Sequence, residues 1–153
     1  MDKFDSRILD CLQRDASMPL AEIAEVVGLS STPCWRRIQN MEKAGVLKGR
    51  VAILDPIKLN VGVTVFVAIK TAQHSQEWLE RFARHVDLIE EVVEFYRMSG
   101  DVDYMLRVVV PDIAAYDAVY KRLIEVGGLS DVSSTFAMER IKYTTALPLN
   151  YAG

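Results

Sequence analysis

Cysteine is scarce in this chain, with Cys11 and Cys34 as the two examples in 153 residues. Two thiols are too few for the disulfide framework of a small secreted domain, and they read as reduced side chains in a cytoplasm. Long apolar runs are missing too. Charges interrupt every stretch before the roughly 20 residues that cross a bilayer, so no membrane partner is expected. The opening Met1–Asp–Lys–Phe–Asp5 has no apolar core or cleavage site resembling a signal peptide. No glycine-rich phosphate cradle is present, and neither His74 nor His85 has metal-ligand spacing to another His or Cys. Metal and cofactor are therefore expected to be absent, and nothing points to an enzyme. Cationic excess is also lacking, with 18 Lys and Arg against 21 Asp and Glu. With 50% hydrophobic and 25% charged residues, the composition is that of a globular chain of one ordinary or two small domains.

The charge is unevenly placed. Residues 1–50 carry eight basic and seven acidic side chains, whereas 51–153 carry ten and fourteen. From Thr32 to Arg50 the bias sharpens to five basic residues (Arg36, Arg37, Lys43, Lys48, Arg50) against Glu42 alone. Here Thr32 reads as a helix N-cap and Pro33 as the first helical residue, with Ile38 and Met41 on one face and Gly45 as the stop. A short helix precedes it, Pro19–Val27, with Leu20, Ile23, Ala24 and Val27 on one side, ending at Gly28. Before that, Asp2 or Asp5 caps a first helix to about Arg14, burying Phe4, Ile8, Leu9 and Leu12. Short helix, glycine turn and basic helix form a helix-turn-helix, a module that enters a groove of double-stranded DNA. Ser31, Thr32, Trp35, Arg36 and Arg37 are then the candidate DNA contacts, and Lys48 and Arg50 lie along phosphates from a small hairpin or wing at Val46–Leu54. So few cations hold DNA weakly in one copy, which makes two or more heads acting together the expected arrangement.

Asp55–Gly62 has the best linker signals, giving domains 1–54 and 63–153 joined by 55–62. The second domain reads as strand Val63–Ile69, helix Gln76–Val86, strands Glu91–Met98 and Asp103–Val110, helix Ile113–Val126, and a long strand Val132–Thr145. The order βαββαβ predicts an α+β ferredoxin-like sheet with two helices on one face. Phe66 lies opposite the valine face of the first strand, while Phe136 and Met138 oppose Ile141 and Tyr143 on the last. Apolar residues on both faces imply a second subunit over the open side.

Ser99–Gly–Asp–Val–Asp–Tyr104 joins the two central strands. It reads as a plain β-turn in which Gly100 takes positive φ, or as a loop whose Asp101 and Asp103 hold the ammonium group of an amino acid. Cys34, near a helix N-terminus and Arg36, is expected to have a lowered pKa and so a conceivable redox role.

Asp5–Gln13, Glu22–Ile–Ala, Val27–Ser30, Thr32–Pro–Cys–Trp–Arg–Arg–Ile38, Glu42–Val46 and Ser99–Tyr104 together resemble the Lrp/AsnC (feast/famine) transcriptional regulators over nearly the whole chain. The resemblance implies a winged helix-turn-helix, a regulatory ferredoxin-like domain, homodimers that assemble to octamers, and an amino-acid effector between dimers near Gly100 and Asp103. It adds Met98, Ser99, Tyr104, Thr135, Phe136 and Ala137 as neighbours of that effector. Thr32–Arg37 and Ser134–Thr145 look like the branch that responds to cysteine. An architectural DNA-binding protein without an effector is the alternative reading.

Overall fold

In the computed structural model, which describes residues 1–152, α1 (Lys3–Arg14) begins at a capping box. The Asp2 carboxylate accepts from the backbone N–H of Phe4 and Asp5 at 2.8 and 3.0 Å, and Asp5 returns the bond to the Asp2 N–H at 3.0 Å. These bonds pair N–H groups that a helix start leaves open. Next, α2 (Leu20–Val27) ends at Gly28, whose φ of +81° supplies the left-handed cap that starts the turn into α3 (Ser31–Lys43). Arg7 of α1 donates to the carbonyls of Val26 and Val27, tying the end of α2 to α1. Ile8, Ile23, Val27, Cys34, Ile38 and Met41 interlock as the core of the three helices.

Four sequence expectations change here. The cap of α3 is Ser30 rather than Thr32, and Pro33 is the third helical residue rather than the first. Proline is tolerated there because the N–H groups of the first turn have no partner within the helix. Residues 46–54 form no hairpin. The chain closes α3 through Val46 and Leu47 N–H groups onto the Met41 carbonyl, then runs on without ladder partners. A strand needs a neighbour, and one copy supplies none to this segment. The last strand is shorter than expected, and the tail beyond Lys142 belongs to the helical unit rather than to the sheet. In that tail Gln13 exchanges two hydrogen bonds with the backbone of Leu147 at 2.9 and 3.2 Å, and Leu149 packs on the helical core.

The chain thus divides into Met1–Ile53 with the residues from Lys142 onward, and Leu54–Ile141. The second unit consists of β1 (Val63–Thr71), α4 (Gln76–Asp87), β2 (Val92–Arg97), β3 (Tyr104–Val110), α5 (Ile113–Ile124) and β4 (Leu129–Phe136). Its antiparallel sheet has the order β2-β3-β1-β4, that of the ferredoxin-like fold. Register pairs Val65, Val67 and Ile69 with Val108, Leu106 and Tyr104, and with Phe136, Ser134 and Val132 on the other side. These residues face Trp78, Phe82 and Val86 of α4 and Tyr116, Val119 and Leu123 of α5. The ladder ends where the Ala137 N–H meets the Thr64 carbonyl, one residue from the start of β1.

On the opposite face Phe66 is 42% exposed, in register with Arg107 and Thr135, and Tyr96 is exposed beside Met105. Arg107 pairs with Glu94 at 2.6 Å across this face. Burial pushes the Glu94 carboxyl up, but its bonds from Arg107 and Tyr96 outweigh that and hold it below its ordinary value.

Candidate nucleic-acid interface and effector loop

Burial of Cys34, Ile38 and Met41 fixes which side of α3 faces outward. Thr32, Trp35, Arg36, Gln39 and Lys43 follow one another on that side at spacings of three and four residues. Trp35 is 52% exposed, an unusual state for so large an apolar surface. Arg36 is exposed and forms no ion pair among the described residues. Ser31 and Thr32 are exposed in the first turn, where free N–H groups and the helix dipole favour phosphate. A cleft of about 580 Å³ runs beside Arg36 and Asn40. Gln39 and Asn40 were missed in the sequence, although counting seven residues on from Thr32 reaches Gln39.

Arg37 sits differently from the other candidates. Its guanidinium bonds Asp5 at 2.7 Å and Asp2 at 2.8 Å, and lies 5.4 Å from the centre of the Phe4 ring. Asp5 and Asp2 together raise the Arg37 pKa further. The Asp2 carboxyl is held below its ordinary value by the Asp5 backbone N–H and, after a smaller opposing desolvation, by Arg37. In the free chain Arg37 therefore fastens α3 to the start of α1. Lys48 is exposed, and Arg50 pairs with Glu42 at 2.9 Å.

Cys34 corrects another expectation. The thiol is 0% exposed, and burial pushes its pKa up, with Cys11 adding to the rise and Arg37 opposing it. A thiol of that kind is an inert core residue.

Between β2 and β3 the loop turns at Gly100, whose φ of +129° disfavours any side chain. The Met98 N–H closes onto the Asp103 carbonyl at 2.8 Å. Asp103 accepts the Thr71 N–H at 2.8 Å, so its carboxylate locks the loop to the end of β1. Asp101 projects into solvent and meets Lys70 at 2.7 Å. Met98, Ser99, Gly100, Asp101, Asp103 and Tyr104 are thereby brought together. Thr135, Phe136 and Ala137 are not, because they align with Thr64–Phe66, at least three residues and about 10 Å along β1 from the Ile69–Tyr104 rung. Thr135 faces outward, whereas Phe136 turns inward onto Tyr116, at a ring-centre distance of 5.4 Å.

Among the described residues, no three His, Cys, Asp or Glu side chains are grouped to hold a metal ion, and no helix is long and apolar enough to cross a membrane.

Helix-turn-helix and ferredoxin-like units on one chain, with a basic helix on the first and a hairpin-loop site on the second, define a DNA-binding regulator with a ligand-sensing domain. Residues 1–42 match the AsnC-type helix-turn-helix domain, and residues 64–147 match the Lrp/AsnC ligand binding domain. The chain belongs to the Lrp/AsnC family of transcriptional regulators. It is 51% identical over 150 residues to the DNA-binding transcriptional activator DecR of Escherichia coli K12, covering 97% of this chain and 99% of that one. An AsnC family transcriptional regulator from Agrobacterium tumefaciens superposes with a TM-score of 0.96 at 65% identity, over 99% of both chains. A transcriptional regulator from Neisseria meningitidis, solved as a complex with L-Met, superposes with a TM-score of 0.93 at 33% identity, again over 99% of both.

Proposed function

We propose that this chain is a cytoplasmic regulator of amino-acid metabolism or transport that binds a palindromic operator through paired α3 helices and responds to a small amino acid. The observation that carries the DNA reading is the outward stripe of α3, where Trp35 and Arg36 stand exposed and Arg36 has no ion pair among the described residues. Thr32, Trp35 and Arg36, extended by Gln39, reach base edges, while Ser31 and the first N–H groups meet phosphate. Lys48 and Arg50 follow the backbone, Arg50 exchanging Glu42 for a phosphate. Arg37 supports the helix from behind.

The apolar open face around Phe66, Tyr96 and Met105 supports pairing with a second copy, and assembly of such pairs to an octamer follows the family resemblance. Two copies also offer a way for the 98–104 and 135–137 segments of different subunits to meet around one effector. Cysteine is the first effector to try, and the L-Met complex of the Neisseria protein supports an amino acid in general.

A direct test measures the affinity of the purified chain for the DNA upstream of its own gene, with and without each of the twenty amino acids. Sequence-selective binding that one or a few amino acids alter is expected. Binding that tolerates many sequences and that no amino acid alters would favour the architectural alternative, and no binding to duplex DNA at low salt would remove the regulator reading.

A further inference from the structure

Between Thr32 and Arg50 the one acidic side chain is Glu42, set among five cations. Its place is unfavourable on two counts. It lies in the last turn of α3, where the helix dipole favours cations. It also follows Trp35 and Gln39 at spacings of seven and three residues, on the outward side of the helix. A carboxylate there repels the phosphates that the neighbouring cations attract.

Both carboxylate oxygens are engaged within the helical unit. Oε2 accepts from Nε2 of Gln39 at 2.8 Å, and Oε1 accepts from Nη2 of Arg50 at 2.9 Å. A carboxylate only accepts, so the Gln39 carboxamide turns its NH2 group toward it. One N–H is used there, and the other remains with the carbonyl oxygen as a donor beside an acceptor. That pair is the complement of the N7 and N6 edge of adenine in the major groove. Holding a long glutamine side chain in one arrangement before DNA arrives also lessens the ordering that binding must supply. Arg50, whose side chain is 43% exposed, is kept beside α3 by a carboxylate that a phosphate must displace.

We propose that Glu42 is a positioning residue for DNA reading, which presents the Gln39 carboxamide to an adenine edge and holds Arg50 back from phosphate. The proposal rests on the reading that α3 enters the groove, and it adds a residue that itself touches neither base nor backbone. The two bonds give Glu42 opposite effects on two kinds of duplex. On the operator, Gln39 makes a prepared contact, and Glu42 keeps that partner when Arg50 leaves for a phosphate. On an unrelated duplex no matching base engages Gln39, while the Glu42 charge still repels phosphate and still competes for Arg50. Glu42 therefore lowers affinity for DNA in general and raises the preference for one sequence.

Fluorescence anisotropy compares wild type, Gln39→Ala, Glu42→Ala and Glu42→Gln on the operator, on operators altered at one base pair at a time, and on scrambled duplex. Circular dichroism confirms that each variant is folded. Gln39→Ala defines the base-pair position that Gln39 reads. Glu42→Ala should lessen discrimination at that same position roughly twofold to tenfold, the range for ordering one long side chain. Glu42→Gln keeps an oxygen for the Gln39 N–H and should preserve that discrimination. Both Glu42 variants should bind scrambled duplex more tightly, with a salt slope steeper by about 0.9 per head once Arg50 is released. Relaxation in Glu42→Ala at a cytosine that Gln39→Ala leaves alone would mean direct base contact by Glu42 and would overturn the positioning role. A Gln39→Ala profile matching wild type, or full discrimination with an unchanged salt slope in Glu42→Ala, would overturn it too. These results leave the DNA reading standing, because wild type still binds. No binding of wild type to duplex DNA at low salt would remove that reading, and this role with it.

Discussion

Arg36 and Arg37 are adjacent in sequence and opposite in use, and alanine at each position separates the two uses. Arg36 is exposed with no ion pair among the described residues, whereas Arg37 is held by Asp5 and Asp2 at 2.7 and 2.8 Å. Loss of a base contact costs about 1–3 kcal/mol per head, so a two-headed complex of Arg36→Ala should lose about 2–6 kcal/mol. That corresponds to roughly thirtyfold to twenty-thousandfold weaker binding. If Arg36 meets phosphate instead, the slope of log affinity against log salt should fall by about 0.9 per head. Arg37→Ala should lower the melting temperature and weaken DNA binding by loosening α3, without altering that slope. Arg37→Lys should not restore it fully, because an ammonium group can bridge the two carboxylates but does not replace the guanidinium placed over the Phe4 ring. Fluorescence anisotropy with labelled operator from about 50 to 200 mM salt, beside thermal denaturation, reads both effects. Full affinity in Arg36→Ala, together with a reduced salt slope at unchanged melting temperature in Arg37→Ala, would reverse the two roles.

Phe82 is fully buried among Trp78, Phe95 and Tyr104, so Phe82→Ala should destabilise the sheet unit by about 3–5 kcal/mol in urea denaturation; a loss below 1 kcal/mol would contradict the packing. Cys34 should resist thiol reagents in the folded chain and react once the chain is denatured, and rapid labelling of native protein would contradict its burial. The Asp2 carboxyl has a folded pKa below its ordinary 3.8, so its contribution is complete above that value and is lost as pH falls below it. Asp2→Asn should therefore flatten the acid-side decline in stability, measured by melting temperature against pH; a steeper decline would give the wrong sign.

Local signals carried most of the fold. The Asp2 cap, the Gly28 turn and the valine alternation of β1 each act over a few residues, and period and punctuation reveal them. What failed to show depends on partners distant in sequence. Arg37 finds Asp2 and Asp5 across 35 and 32 residues, and Gln13 finds Leu147 across 134. β4 ends at Phe136, near the start of the partner strand β1, a limit that the apolar pattern of Met138–Tyr143 cannot reveal. At the loop, Gly100 and Asp103 were visible as turn chemistry. The bond from the Thr71 N–H to Asp103 was not, because only the fold brings residue 71 beside residue 103.

The measurement that bears most directly on a regulator with two coupled reading helices is operator affinity as the half-sites are moved apart. Inserting about 5 bp between them turns one half-site to the far side of the duplex, and a full turn of about 10 bp brings it back. Paired α3 helices predict a steep loss at the half turn and recovery at the full turn. Equal affinity at all three spacings would mean that each head binds alone, and the account of a self-pairing regulator would not survive it.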